Sequence, residues 1–247
     1  MKTFPKTILF IVLYSVVFVF LRQFGSYVGY NVDALTSDLG GLTYLYSTVG
    51  LIFAIFAASV MVFESQRWDN LIDSLKSEVS ELDELWAWSA LLENEHSINL
   101  HNNIKKYLEI SIAKIKDLSS SREALIVTVE PMRKEIFNLA ENSSPTGQHL
   151  MDTLDNFIEF RTRRINYSIY QLPKILKGAL LFNTILLIVL SYLIGVHNVW
   201  LNYIFLISVT TLASFIYFII DDMDNPYRAG NWQIEATDFE KLLKKIS

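Results

Sequence analysis

Three carboxylates and one amide lie close together near the end of the chain, at Asp221, Asp222, Asp224 and Asn225. Carboxylate and carbonyl oxygens are the ligands that Ca²⁺ prefers, and a ring of carboxylates at the mouth of an oligomeric pore attracts cations. The same residues also suit a solvated helix end, because Asp-Asn-Pro is typical of a turn. A third interpretation is a structural pairing with basic residues of an earlier helix, namely Arg161, Arg163 and Arg164. The sequence leaves these alternatives open, and the identity of any metal is unknown.

The rest of the chain offers no catalytic machinery. It has no cysteine, which excludes thiolate nucleophiles, thiolate metal sites and disulfides. It contains no zinc-protease helix motif, phosphate-binding glycine loop or nucleophile elbow. The net charge of −5 argues against a nucleic-acid partner, which would need a basic face. We therefore expect no catalytic residue, no enzyme activity and no cofactor, with Ca²⁺ or another ion at the acidic cluster as the one exception.

The acidic cluster follows a long segment without charge, which must position it. No Asp, Glu, Lys or Arg occurs in the 43 residues from Gly178 to Ile220. One bilayer crossing takes about 20 apolar residues, so this segment predicts two membrane helices with a polar turn at His197 and Asn198. Two further apolar segments, Pro5–Phe24 and Leu39–Phe63, predict two more spans. No small-x-small cleavage site follows the first of them, which argues against a signal peptide.

The second span carries the residues that could line a pore. Small residues recur every four positions at Gly50, Ala54 and Ala58, and this pattern lets helices pack closely in lipid. If that side packs, the opposite side faces a pore axis, because a residue two positions further on lies about 200° around the helix. The resulting pore-lining candidates are Ile52, Phe56 and Val60, with Ser59 and Phe63 adjoining. Apolar rings of this kind gate by dewetting, and contact with lipid is the alternative for each residue.

The segment between the second and third spans is predicted to be helical throughout. Apolar residues recur at spacings of three and four from Trp68 to Trp86, opposite a charged face. No breaker separates this pattern from the second span, so we expect one helix of about 50 residues, roughly from Gly41 to Leu91. Pro131 is expected to kink or restart a later helix. No strand pattern appears, and the predicted fold class is all-α, with spans in 1–63 and 178–220, a cytoplasmic domain in 64–177 and a cytoplasmic tail in 221–247.

The distribution of basic residues predicts the orientation in the membrane. Twenty of the 21 Lys and Arg residues lie outside the first loop and the turn near His197. Because positive charge stays on the cytoplasmic side, both termini and the central domain should be cytoplasmic. The chain is thus expected to be a multi-pass protein of the plasma membrane, which is the inner membrane if the source is bacterial.

Three blocks of the sequence carry a resemblance to a known family. They are Phe63–Trp68 at the end of the second span, Arg161–Arg164 leading to Leu172-Pro173, and Asp221–Tyr227. Together they resemble the bestrophin-like family of four-span membrane proteins of unassigned function. The chain is more distantly similar to bestrophins, which are pentameric anion channels with a pore along the second helix and an Asn-Pro-Phe block after the fourth. Asn225-Pro226-Tyr227 is similar to that block.

The resemblance implies a homo-oligomeric ion channel, with four or five subunits around an axis within the lipid bilayer. In calcium-gated bestrophins the acids of the calcium site follow the Asn-Pro block, whereas Asp221, Asp222 and Asp224 precede it here, so calcium gating is not implied. The resemblance favours anions as the conducted ion, and the acidic cluster favours cations. The alternative function is a non-conducting membrane scaffold or sensor whose cytoplasmic helices bind a partner.

Overall fold

Within the part of the chain that it describes, the computed structural model contains eight helices and no strand. The described residues are 3–24, 39–92, 94–116, 122–141, 145–194, 198–228 and 230–247. The helices are α1 (Thr3–Phe24), α2 (Leu39–Ser89), α3 (Asn94–Lys116), α4 (Arg122–Glu141), α5 (Pro145–Ile169), α6 (Lys174–Leu193), α7 (Val199–Met223) and α8 (Thr237–Ile246). The predicted all-α class is confirmed.

Among the described residues, three helices are long and apolar enough to cross a membrane. They are the part of α2 from Gly41 to Ser89, α6 and α7. The apolar stretch of α1, Thr7–Leu21, is shorter, so the fourth span stays a sequence-based prediction. The predicted turn at His197 lies outside the described residues, and Asn198 caps α7 by accepting hydrogen bonds from the backbone N–H groups of Trp200 and Leu201.

The long second helix forms as its periodicity predicts. α2 runs through 51 residues from Leu39 to Ser89 without interruption, close to the expected Gly41–Leu91. It has no proline, and its amphipathic pattern continues past the apolar stretch, so no local signal ends it earlier. α4 continues through Pro131 as one helix, so Pro131 does not restart it, and the kink stays a prediction. Met132 and Ile136, on the far side of the proline, are fully buried, and this packing outweighs the hydrogen bond that proline removes.

The chain divides into two compact units, and α2 contributes to both. The apolar unit comprises residues 1–65, 171–224 and 230–232, and the polar unit comprises residues 66–170, 225–229 and 233–247. Residues 221–247, predicted to be one tail, are thus divided between the two units. The division follows composition, since the apolar unit contains α6, α7 and the largely apolar first half of α2, up to Ser65.

The core of the apolar unit is built from α2, α6 and α7. α7 packs against both α1 and α6. The buried core residues are Phe53, Ala57, Val60, Leu172, Leu180, Leu187, Ile188, Ala213 and Ile220. This core leaves much of each helix uncovered, as expected for helices whose other sides contact lipid or a neighbouring subunit.

The polar unit has a conventional amphipathic core. α3 packs against α4 and α8, and α4 packs against α5. The second half of α2 contributes Leu71, Leu75, Leu82 and Leu85, which recur on one face. α8 closes the core with Phe239, Leu242 and Ile246 at spacings of three and four, the apolar stripe of a surface helix.

Candidate functional site

One face of the first half of α2 packs inside its own chain. Phe53, Ala57 and Val60 are 4%, 3% and 6% exposed and lie in the core of the apolar unit. Their spacings of four and three place them on one side of the helix. A Cβ added to Gly50 would lie 3.7 Å from the Leu187 Cδ1 atom of α6, so Gly50 belongs to the same packed side. This contact face fixes the rotation of α2, which the sequence could not.

This rotation of α2 leaves some of the predicted pore-lining residues exposed and buries others. Ile52 and Phe63 are 56% and 45% exposed, Ser59 is exposed and Phe56 is partly buried. Val60 instead packs against its own chain, which removes it from the candidate lining. The sequence predicted that Val60 lies opposite the small-residue stripe. The packed side instead contains Phe53, Ala57 and Val60, which are four and three positions apart.

The small residues that were predicted to pack against another helix also differ in their contacts. Gly50 lies against α6, whereas Ala54 and Ala58 are exposed in the single chain. The buried alanine is Ala57. Ala54 and Ala58 therefore stay candidates for contact with a neighbouring subunit, and they do not pack helices within the chain.

The exposed side of α2 is weakly polar and carries no formal charge between residues 39 and 63. Its hydroxyl groups donate to the carbonyl one turn earlier in the same helix, with Oγ-to-O distances of 2.9 Å for Ser47 and 2.8 Å for Ser59. Such bonds leave the oxygen lone pairs on the exposed side. The surface can therefore contact lipid or weakly hydrated ions, and any charge selection must come from other residues.

The acidic cluster is held together by a lysine. Lys177 Nζ lies 2.7 Å from Asp221 Oδ1 and 3.0 Å from Asp224 Oδ2. The second oxygen of Asp224 accepts the backbone N–H of Leu172 at 2.5 Å. These bonds join the end of α7 to the start of α6. The cation that pairs with Asp221 and Asp224 is thus Lys177, and the three arginines were the partners that the structural-pairing interpretation named.

Asp222 and Asn225 stabilise the chain after α7. Asp222 Oδ2 accepts the backbone N–H of Asn231 at 2.8 Å, and a Cβ added to Gly230 would collide with the Asp222 carboxylate. Asn225 Oδ1 accepts the backbone N–H of Tyr227 at 3.1 Å, an Asx turn. Among the described residues, no group of three His, Asp or Glu side chains is placed to hold a metal ion.

Sequence reasoning missed a buried ionic network in the polar unit. Arg164 Nε donates to Glu78 Oε2 at 2.5 Å, and the Tyr107 hydroxyl donates to Glu78 Oε1 at 2.5 Å. Burial and the neighbouring negative charge of Glu78 raise the pKa of Tyr107 above its ordinary value. Burial alone would lower the pKa of Arg164, but Glu78 raises it, so the arginine stays charged. The guanidinium also lies over the Phe239 ring of α8, at 5.7 Å.

The spacing of the arginines along α5 could have indicated which of them are buried. Arg161 and Arg164 are buried and continue the buried stripe of Leu154 and Phe157 at spacings of three and four. Arg163, outside that stripe, is exposed and pairs with Glu159. The sequence offered all three arginines as partners of the acidic cluster, and two of them, Arg161 and Arg164, are buried in the polar unit.

Comparison with known proteins places this fold among bestrophin homologs. A family model described as a bestrophin-like domain matches residues 9–239. A leucine-to-threonine variant of a bacterial bestrophin homolog from Klebsiella pneumoniae gives a TM-score of 0.78 at 12% identity, covering 100% of this chain and 98% of that chain. A tyrosine-to-alanine variant of a bacterial bestrophin homolog from the same organism gives 0.76 at 10% identity, covering 100% and 98%.

A further solved structure, described as that of a membrane protein variant, gives a TM-score of 0.77 at 11% identity and covers 100% of this chain and 97% of that chain. No curated protein matches the chain in sequence. At these identities the likeness to solved structures concerns the fold, and the family assignment rests on the match over residues 9–239.

Proposed function

The chain belongs to the bestrophin-like family of membrane proteins, and on that premise we propose that it forms a homo-oligomeric ion channel. The first half of α2 would surround the axis of a closed ring of four or five subunits. The observation that carries this proposal is the exposed side of α2, which is long, free of charge and not covered by its own chain. In a ring, one flank of such a helix can contact a neighbour while the other faces the axis.

We assign the pore-facing flank to Ile52, Ser59 and Phe63, with Phe56 at its edge. Ile55, 62% exposed, extends the same surface. Ala54 and Ala58 lie on the other exposed flank, where their small side chains allow a neighbouring helix to approach. Because the pore-facing flank is mainly apolar, closure by dewetting is the expected gating principle.

The acidic cluster bears on ion selection through its charge. Lys177 offsets one of the three carboxylates, which weakens the attraction for cations at this point. We favour anion conduction on the ground of the family resemblance alone, because the cluster keeps a net negative charge and does not itself select anions. Ca²⁺ binding at the cluster would have to compete with the tethered ammonium group. We expect conduction to need no cofactor or nucleic acid, and both termini to be cytoplasmic.

Single-cysteine accessibility tests the assignment of α2. The natural chain has no cysteine, so Ile52→Cys, Ser59→Cys and Phe63→Cys need no background substitutions. Each variant is reconstituted in liposomes, and anion flux is measured before and after a charged methanethiosulfonate reagent. Modification should change the flux in these variants, because the reagent reaches thiols in a water-filled pore and not those facing lipid. Ala57→Cys, at a position 3% exposed, is the matched control and should be unaffected.

Two outcomes would reject the proposal at different levels. If the oligomer is confirmed and neither Cl⁻ nor K⁺ crosses the membrane over a range of pH and Ca²⁺ concentration, the channel function is wrong. The scaffold or sensor alternative then stands. If flux occurs but only Ala57→Cys responds, the channel stands and the rotation of α2 is wrong. A dimer measured by mass would also argue against an axial pore, which needs a closed ring.

A further inference from the structure

The polar unit carries a groove of about 410 Å³ between the second half of α2 and α8. α2 lines this groove with residues between Lys76 and Asp83, and α8 lines it with residues between Asp238 and Lys245, so each wall covers about two helical turns. Val79 and Leu242 contribute apolar side chains near the middle of the two walls. A groove with an apolar centre and charged borders has the composition of a protein interface.

Lysine is the predominant charged residue of this groove, which we call the lysine groove. Lys76, Lys241 and Lys245 line it together with two aspartates, so its net charge is positive in a chain whose net charge is −5. Lys245 Nζ lies 2.7 Å from Asp83 Oδ2, and Lys241 Nζ lies 3.0 Å from Asp238 Oδ1. Both ammonium groups are largely exposed and carry three N–H donors, so each can bind a second acceptor. Lys76 is exposed and has no ion-pair partner among the described residues.

A row of exposed carboxylates on α5 has the opposite charge. Asp152, Asp155 and Glu159 lie three and four positions apart, on one side of the helix, and we call them the acidic row. Glu159 pairs with Arg163, whereas Asp152 and Asp155 have no ion-pair partner in the part of the chain that the structure describes. Like charges at this spacing slightly destabilise a helix, so a basic partner would stabilise the acidic row.

We propose that the acidic row of one subunit docks into the lysine groove of the next subunit. This inference rests on the proposed function, because a closed ring joins two different surfaces of one chain at every contact. The spacing of the charges agrees as well as their sign. Lys241 and Lys245 are four residues apart on α8, and Asp155 and Glu159 are four residues apart on α5, so both pairs are separated by about 6 Å along their helices. The occupant of the groove is thus a second copy of the chain.

Cysteine crosslinking of the full-length protein in detergent tests this contact. The chain has no cysteine, so the double variant Lys241→Cys with Asp155→Cys contains only the two introduced thiols. A short bismaleimide should join neighbouring subunits and give a ladder of bands, up to the size of the ring, on a denaturing gel. The control is Lys241→Cys with Glu109→Cys, because Glu109 is exposed on α3 and lies outside the acidic row. The control should run mainly as a monomer.

Charge reversal tests the electrostatic part of the proposal. Asp155→Lys should raise the dissociation constant of the ring about tenfold or more, because like charges facing each other at an interface repel. Lys241→Glu should have a similar effect, and the combination of both substitutions should restore most of the affinity. Lys244→Glu changes an exposed lysine of α8 that does not line the groove, and this variant should assemble as the wild type does. The measurement is the oligomer mass over a dilution series.

The outcomes separate this contact from the channel itself. A ring that gives no ladder with Lys241→Cys and Asp155→Cys, or an equal ladder with the control pair, would overturn the docking and leave the channel proposal standing. The groove would then be open to another partner. Reversal variants that assemble as tightly as the wild type would overturn the charge complementarity. A chain that is monomeric by mass would refute the ring, and with it both proposals.

Discussion

The buried pair between Glu78 and Arg164 provides the most direct test of the polar unit. Their side chains are 0% and 4% exposed. Replacing Arg164 by Met leaves the Glu78 carboxylate buried, and the Tyr107 hydroxyl still donates a hydrogen bond to it. Breaking a buried ion pair by removing one partner costs about 3–5 kcal/mol, because an uncompensated charge stays in the core. The loss of the contact between Arg164 and Phe239 adds to this cost.

Matched variants separate the buried charge from other effects of the substitution. Arg163→Met removes an exposed arginine one position away, whose side chain and that of its partner Glu159 are both 55% exposed. An exposed pair contributes at most about 1 kcal/mol, so this variant should be nearly as stable as the wild type. The double variant Glu78→Met with Arg164→Met removes both charges. It should recover most of the loss, because apolar replacement of a buried pair is often neutral.

The assay is urea unfolding of the full-length protein in detergent. Tryptophan fluorescence follows the polar unit, which contains three of the five tryptophans, at Trp68, Trp86 and Trp88. The free energy of unfolding should fall most for Arg164→Met. A loss no larger than that of Arg163→Met would refute the reasoning. A double variant no more stable than Arg164→Met alone would show that the uncompensated charge of Glu78 is not the source of the loss.

Three further substitutions test the remaining contacts. Lys177→Met should lower the free energy of unfolding by about 1–2 kcal/mol, since two carboxylates lose a shared and partly exposed cation. Ca²⁺ should stabilise this variant more than the wild type in thermal unfolding, and an equal effect would argue against competition at the cluster. Gly230→Ala should cost about 1–3 kcal/mol through its collision with Asp222, whereas Gly178→Ala, where a Cβ meets nothing within 4 Å, should be tolerated. Burial lowers the pKa of His101 below its ordinary value, so the unfolded chain takes up the proton more readily. Stability should therefore fall as the pH drops below about 6.5, and His101→Phe should show a smaller fall between pH 7 and 5; an equal fall would contradict this sign.

Most of the fold could be predicted because its signals are local. The absence of charge from Gly178 to Ile220 and the unbroken periodicity into Trp68 depend on residues near one another in sequence. These signals predicted the all-α class. They also predicted the long α2, whose observed ends lie two residues from the predicted ones. Family membership was also predictable, since the block from Asp221 to Tyr227 is specific. Pro131 shows the limit, because α4 continues through it, with Met132 and Ile136 beyond it buried in the folded unit.

The candidate site was less predictable because it depends on contacts between distant segments. The rotation of α2 follows from packing against α6 and α7, and a stripe of small residues could not show that Val60 would be buried. Glu78 and Arg164 are 86 residues apart, so no local pattern joins them. The burial of Arg164 was nevertheless visible in its spacing from Leu154 and Phe157. The arginines were considered as partners of the acidic cluster, and the periodicity of Arg161 and Arg164 could have indicated their burial.

The geometry around Asp224 argues for a structural use of the acidic cluster. Both of its carboxylate oxygens accept hydrogen bonds, one from the Leu172 backbone and one from Lys177. A metal ion would have to displace a tethered ammonium group and leave a buried backbone N–H without its acceptor, which carries a cost of its own. Lys177 already supplies the positive charge that would otherwise come from a bound cation. We therefore expect the cluster to join the end of α7 to the start of α6 whether or not Ca²⁺ is present.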